Sequence, residues 1–322
     1  IVFLNQNKIN VMIMRKTALY YNDVFLEHLV PIGHPENKNR MRFILDKIKK
    51  SDLKGLKINS AKPANYNILR LGHSDKYLNW LDRLKPREEI IKIDQDTFMS
   101  KKSLHAAKIG VGCVIGAIDS ILEMQNKNAF CLIRPPGHHA EREKAMGFCF
   151  LNNIAIGAKY LKEIKQIDKI AIVDFDVHHG NGTQNILWND PDCLFISIHQ
   201  SNLFPFTGLE NETGNKNNIL NIPVNANSNS FEFRYIVDKF VIPRLKEFQP
   251  KFLLISAGFD GEKNDQMSQT QWVESDFIYL TKKLKNLAKK YCDNRIVSCL
   301  EGGYHLEKLA SCCVSHIKSL ME

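Results

Sequence analysis

At 322 residues and 44% hydrophobic content the chain can bury a large core, and length alone allows about two domains of ~150 residues, although α/β folds of this size often form one. No run of 18 apolar residues occurs, and the N-terminal IVFLNQNKINVMIMRK is too short and too interrupted by polar side chains for a membrane span, so a soluble protein with no membrane partner is expected. Forty-four Lys and Arg against 35 Asp and Glu give a net charge of +9, which allows an anionic partner such as nucleic acid but also describes solvated helix faces, the simpler reading of KIKKSDLKGLK (47–57) and TKKLKNLAKK (281–290).

In chain order, the first predicted helix runs from Ser103 to Met124 and is followed by a buried strand, NAFCLIR (128–134). A helix over Asn152 to Ile164 leads to KIAIVDF (169–175), and CLFISIH (193–199) is the next strand. Gln200 to Ser230, rich in Asn, Gly and Ser, reads as a long irregular segment of the kind that carries function. A helix from Phe231 to Phe248, the strand KFLLISAG (251–258), a helix from Ser275 to Tyr291 and the strand RIVSCLE (295–301) complete the pattern. Alternating strands and helices predict a parallel sheet covered on both faces. The eight cysteines are scattered and form no CxxC, so they read as reduced core thiols of an intracellular protein. One domain is expected over residues 1–322, and the start at Ile1 rather than Met leaves room for a preceding segment.

Chemistry concentrates where strands end. In IAIVDFDVHHGNGTQ (170–184), Asp174, Asp176 and His178 are two residues apart, so an extended backbone turns Asp176 and His178 to one side, where both can reach one ion. The plainer account is a pair of buried carboxylates held by backbone amides, yet buried charge is costly enough that both need partners. Three further strand ends supply polar groups: His138 and His139 after a Pro-Pro-Gly turn, Asp260 in SAGFDG, and Tyr304 after Gly302 and Gly303. By itself, a tyrosine after two glycines is an ordinary surface turn.

RPPGHH, GFCFLNN, DFDVHHGNGTQ, SAGFD and LEGGY, in that order, resemble the zinc-dependent histone deacetylase family, which also contains bacterial acetylpolyamine amidohydrolases. The similarity extends to HPENKNR (34–40) and so covers most of the chain. It implies a three-layer αβα fold with a mainly parallel sheet of about eight strands. It also implies zinc held by Asp176, His178 and Asp260, with open positions for water and substrate.

Carried over residue by residue, the resemblance makes His139 the general base and His138 its electrostatic partner, oriented by Asp174. Asp174 and Ser197 match the family's potassium site. Asn181 stands where many members carry Asp behind the second histidine, the pattern of the class II and bacterial branch; it should raise the basicity of His139 less than a carboxylate does. Tyr304 is implied as the oxyanion donor, with Gly302 giving its loop room to move. Phe148 and Phe204 match the facing walls of the acetyl-lysine tunnel, and the Gly147 carbonyl matches a substrate acceptor. Arg40 matches a residue of the internal acetate channel. Phe206 replaces the usual glycine after the proline of LFPFTG, Lys38 replaces a common proline, and the segment gripping the substrate backbone falls near Asp96 and Ser100.

Met267 falls at the rim position where protein deacetylases carry Leu or Met, whereas polyamine deacetylases place a carboxylate there. The expectation is therefore a protein lysine deacetylase acting on histone tails, located in the nucleus, with nucleosomal DNA contacting a basic face around Lys47 to Lys57. The alternatives are a cytoplasmic small-amide amidohydrolase, or a catalytically dead acetyl-lysine binding module.

Overall fold

In the computed structural model, which describes residues 16–87 and 89–322, the apolar runs of the sequence become strands of one parallel sheet. The N-terminal run read above, Ile1 to Lys16, lies outside the described residues except for Lys16. In chain order the elements are β1 (Lys16–Tyr20), α1 (Asn39–Lys50), β2 (Lys57–Asn59), α2 (Tyr66–Leu69), α3 (Asp75–Arg83), β3 (Ile91–Lys92), β4 (Phe98–Met99), α4 (Ser103–Leu122), β5 (Asn126–Cys131) and α5 (Asn153–Glu163). There follow β6 (Ile170–Asp174), α6 (Asn181–Leu187), β7 (Cys193–Gln200), β8 (Ile219–Val224), α7 (Ser230–Ile236), α8 (Ile242–Phe248), β9 (Phe252–Ala257), α9 (Glu274–Tyr291), β10 (Ile296–Leu300) and α10 (Leu306–Met321).

The main sheet has the order β2-β1-β5-β10-β9-β6-β7-β8, and β3 and β4 form a small separate pair. Every pairing in the large sheet is parallel. Parallel neighbours cannot be joined by tight hairpins, so helices carry the chain back. α4 and α5 pack together over β5, β6, β9 and β10, while α1 and α9 each pack on α10, which lies against β1 and β5. The three-layer α/β expectation holds. β6, β7, β9 and β10 are buried at every residue, which is why they read as unbroken apolar runs instead of alternating ones.

Three differences from the sequence reading have local causes. The helix expected from Phe231 to Phe248 is two helices joined by a π-helical turn, Val237–Val241. Pro243 explains the break, since it has no N–H to return to the carbonyl four residues back. The segment from Gln200 to Ser230 contains an edge strand, β8, whose sequence ILNIPV hides it: Pro223 is tolerated because, among the described residues, one side of the strand faces no partner. Among the described residues α4 is long and apolar enough to cross a membrane by length and composition alone, yet it is mostly buried against β5 and α5, the place of a core helix. All eight cysteines are free and buried.

Candidate active site

β5, β10, β9 and β6 are neighbours in the sheet, and the loops leaving their C-terminal ends carry the polar residues singled out above. Because β9 and β10 are inserted between β5 and β6, those loops flank a crevice at the point where the strand order reverses. β6 ends at Asp174, so Asp176 and His178 lie just beyond the strand. The two-residue alternation nevertheless continues: Phe175 and Val177 are buried in the apolar core, while Asp176 and His178 turn to the crevice.

One ligand atom each from Asp176, His178 and Asp260 lie within 4.8 Å of one another, all three residues being buried. His178 Nδ1 is 3.0 Å from Asp176 Oδ1 and 3.1 Å from Asp260 Oδ2. The other oxygens are held by backbone: Gly302 N–H donates to Asp176 Oδ2 at 2.8 Å and Val177 N–H to Asp260 Oδ1 at 3.1 Å. A Cβ on Gly302 would fall 2.0 Å from Asp260 Oδ2, so only glycine lets this backbone close over the carboxylates. Burial pushes the Asp260 pKa up to about 6, with Asp176 adding to the shift. Burial opposes charge on His178, but its bonds to Asp176 and Asp260 prevail and raise it to about 10. Two buried carboxylates whose partners are backbone N–H groups and histidines, not Lys or Arg, fit a divalent cation.

His138 and His139 stack with ring centroids 4.0 Å apart and have opposite surroundings. His138 Nδ1–H donates to Asp174 Oδ2 at 2.9 Å. Burial works against its charge, but Asp174 and Asp176 prevail and raise its pKa to about 10. His139 is pushed well below its ordinary value by burial and then by the charges of His138 and His178, and its Nδ1 lies 2.8 Å from Asn181 Oδ1. The surroundings therefore favour the charged form of His138 and the neutral form of His139.

The Tyr304 loop is braced from behind. Buried Arg40 donates from Nε to Gly303 O at 2.7 Å and from Nη2 to Glu301 O at 2.5 Å, pairs with Glu36 at 3.0 Å, and places its guanidinium 4.9 Å from the Tyr304 ring centroid. Asp265 Oδ2 accepts from the backbone N–H of Tyr304 and His305, and its Oδ1 from Met267 N–H at 3.1 Å. One carboxylate thus ties the tyrosine to the rim methionine.

A cavity of about 110 Å³ is lined by Asp96, His139, Gly147, Phe148, His178, Phe204, Met267 and Tyr304. The Phe204 ring stands edge-on to His139 at 5.1 Å, and Phe148 stands edge-on to Tyr304 at 6.0 Å. The structure separates Asp96 from Ser100: Asp96 lines the cavity, while buried Ser100 accepts from Leu29 N–H at 2.9 Å and contacts Ser103. Phe206 has φ +63° and is 77% exposed, so the position where glycine is usual does adopt a glycine-type conformation.

The family model for the histone deacetylase domain matches residues 34–320. The chain belongs to the histone deacetylase family. It is 35% identical to type-2 histone deacetylase 2 of Dictyostelium discoideum over 95% of this chain, and spans only 21% of that protein. The histone deacetylase-like amidohydrolase of Pseudomonas aeruginosa is 31% identical, with 95% of this chain and 86% of that protein covered. A crystal structure of the HDA15 HD domain superposes with a TM-score of 0.88 at 29% identity, covering 95% of this chain and 88% of the other.

Of the residues assigned from sequence, the cavity gathers seven: His139, Gly147, Phe148, His178, Phe204, Met267 and Tyr304. Arg40 lies behind the tyrosine loop rather than in this cavity, and Ser197 sits beside Asp174 in the sheet register, with its hydroxyl 2.9 Å from His199 Nδ1. The Gly147 carbonyl accepts from the Cys149 thiol at 3.2 Å. Sequence reasoning passed over Asp265, Glu301, Glu36 and Arg134. Glu301 Oε2 accepts from Gly137 N–H at 2.7 Å and His138 N–H at 3.2 Å, and Arg134 pairs with Glu36 at 2.7 Å. All four lie in or beside quoted motifs, but only distant chain contacts show what they hold.

Gly147 provides a direct check on the packing of this site. A Cβ there would meet His139 Cδ2 at 2.4 Å, and φ is +55°. Gly147→Ala should therefore displace the imidazole and lower kcat by about 10²-fold, with the thermal midpoint measured alongside; unchanged kcat would show that the ring tolerates the intrusion.

Proposed function

We propose that the chain is a zinc-dependent hydrolase that removes acetyl groups from lysine side chains of proteins, histone tails being the leading substrate. The observation that carries this reading is the cavity itself: apolar walls of Phe148 and Phe204, with His139, His178 and Tyr304 all on its lining. Such walls suit four lysine methylenes, and the polar groups suit the amide.

Zinc at Asp176, His178 and Asp260 would supply Lewis acidity to the amide carbonyl and acidify a water. His139, neutral and held through Nδ1, presents Nε2 to take the proton from that water and return it to the leaving amine. His138 keeps its positive charge beside Asp174 and Asp176 and offsets negative charge developing nearby. The Tyr304 hydroxyl, held neutral by burial, donates to the carbonyl oxygen as that oxygen becomes an anion. Asp96 receives substrate backbone N–H groups at the mouth. The same reading places potassium at Asp174 and Ser197: His199 Nε2–H donates to Gly208 O at 2.9 Å, so Nδ1 takes the Ser197 proton and leaves that oxygen able to accept a cation.

Histone tails imply a nuclear location and contact with nucleosomal DNA. Lys47, Lys49 and Lys50 are exposed on the last turn of α1, about 10 to 15 Å along the helix from Arg40.

Small-amide hydrolysis is the second reading, and Asp96 favours it, because a carboxylate on the cavity wall attracts a cationic amine. One sample assayed on acetylated histone peptides, longer acyl-lysines and acetylpolyamines separates the two. Acetyl-lysine peptides should be the faster substrates, and Met267→Glu should shift preference toward acetylpolyamines by adding an anion at the rim. A wild type that is faster on acetylspermidine than on every peptide would replace the first reading with the second.

A further inference from the structure

An aspartate behind a histidine presents an acceptor whichever way it turns, but an asparagine does not. Turned one way, Asn181 Oδ1 accepts from His139 Nδ1–H and leaves Nε2 with a free lone pair; turned the other way, its NH₂ donates to Nδ1 and puts the proton on Nε2. The two orientations have nearly the same shape, so Asn181 cannot by itself determine which nitrogen of His139 is basic.

The surroundings of the amide determine it. Asn181 Nδ2 donates to Glu141 Oε1 at 2.8 Å and lies 3.3 Å from Met146 Sδ, and neither group has a proton to give back. Its Oδ1 consequently faces His139 Nδ1, at 2.8 Å. Glu141 is itself held by its backbone: its N–H donates to Lys144 O at 2.9 Å, and its carbonyl accepts from His73 Nδ1–H at 3.0 Å. The His73 tautomer is set in turn, because its Nε2 accepts from Asn152 N–H at 2.9 Å.

We propose that Glu141 is a positioning residue that fixes the Asn181 amide and, through it, the tautomer in which His139 Nε2 accepts a proton. This rests on His139 being the base. Glu141 touches neither the cavity nor the metal-ligand cluster, and it is only partly buried, so substitutions there leave the pocket lining intact.

The test is a mutant cycle read as kcat and KM on one acetyl-lysine peptide. Glu141→Lys replaces the acceptor by a donor, draws Asn181 Oδ1 toward itself and turns the NH₂ to His139. With Asn181 in place, kcat should fall by about 10²-fold while KM changes less than about 3-fold. In the Asn181→Asp background there is no amide to turn, and the same Glu141→Lys should cost less than about 3-fold. Glu141→Gln, which can still accept through its oxygen, should stay within about 10-fold of wild type. Glu141→Leu, which adds no charge, should repeat the ordering on a smaller scale and guards against a folding defect of the lysine variant. Equal losses in both backgrounds would mean that Glu141 merely supports the loop, and the proposal falls. If His139→Ala retains turnover, the base assignment fails instead.

Discussion

Removing the divalent cation is expected to abolish amide hydrolysis, and zinc alone should restore it. The three ligand atoms converge inside a buried site whose carboxylates are held by histidines and backbone N–H groups. Asp176→Asn should act as severely as chelation, since it removes one carboxylate charge and gives Gly302 N–H a weaker acceptor. A hydroxamate, which binds at open metal positions, should lose affinity in both cases. Chelation should also lower the thermal midpoint, because the folded state alone gathers the ligands. Metal content and turnover are measured on the same sample, and full activity in verified metal-free protein would falsify the assignment.

The second large effect separates the proton carrier from the charge carrier. His139→Ala should lower kcat by about 10²- to 10⁴-fold, the usual cost of losing a general base. Tyr304→Phe removes one donor to the developing oxyanion and should cost about 10²- to 10³-fold, with inhibitor binding largely kept. His138→Ala should be milder than His139→Ala, because His138 is held cationic between Asp174 and Asp176 and does not exchange the proton. If His138→Ala proves far more damaging, the two roles are exchanged.

The glycine-flanked loop that carries Tyr304 is anchored on two sides. Arg40 holds the loop's carbonyls from behind, and Asp265 holds its amides from the rim side. Both anchors come from segments far away in sequence, near residue 40 and near residue 265, so nothing local to LEGGY reveals them.

The sequence by itself determined the central strands and the order of the family motifs. β6, β7, β9 and β10 are buried on both faces, and a strand buried on both faces must be apolar throughout, a pattern visible without coordinates. The alternation from Asp174 to His178 was also legible, because side-chain direction along an extended backbone depends only on spacing. The edge strand β8 was not, since an edge needs only one paired side and tolerates Pro223 and Asn221. Nor was the short β2, whose Lys57 and Ile58 are exposed. Only the tertiary structure decided that Asp96 rather than Ser100 faces the cavity, that Arg40 braces the Tyr304 loop, and that Glu141 accepts from the Asn181 amide. Each of these depends on segments distant in the chain, and such neighbours follow from how the strands are ordered in the sheet, which no local pattern of residues encodes.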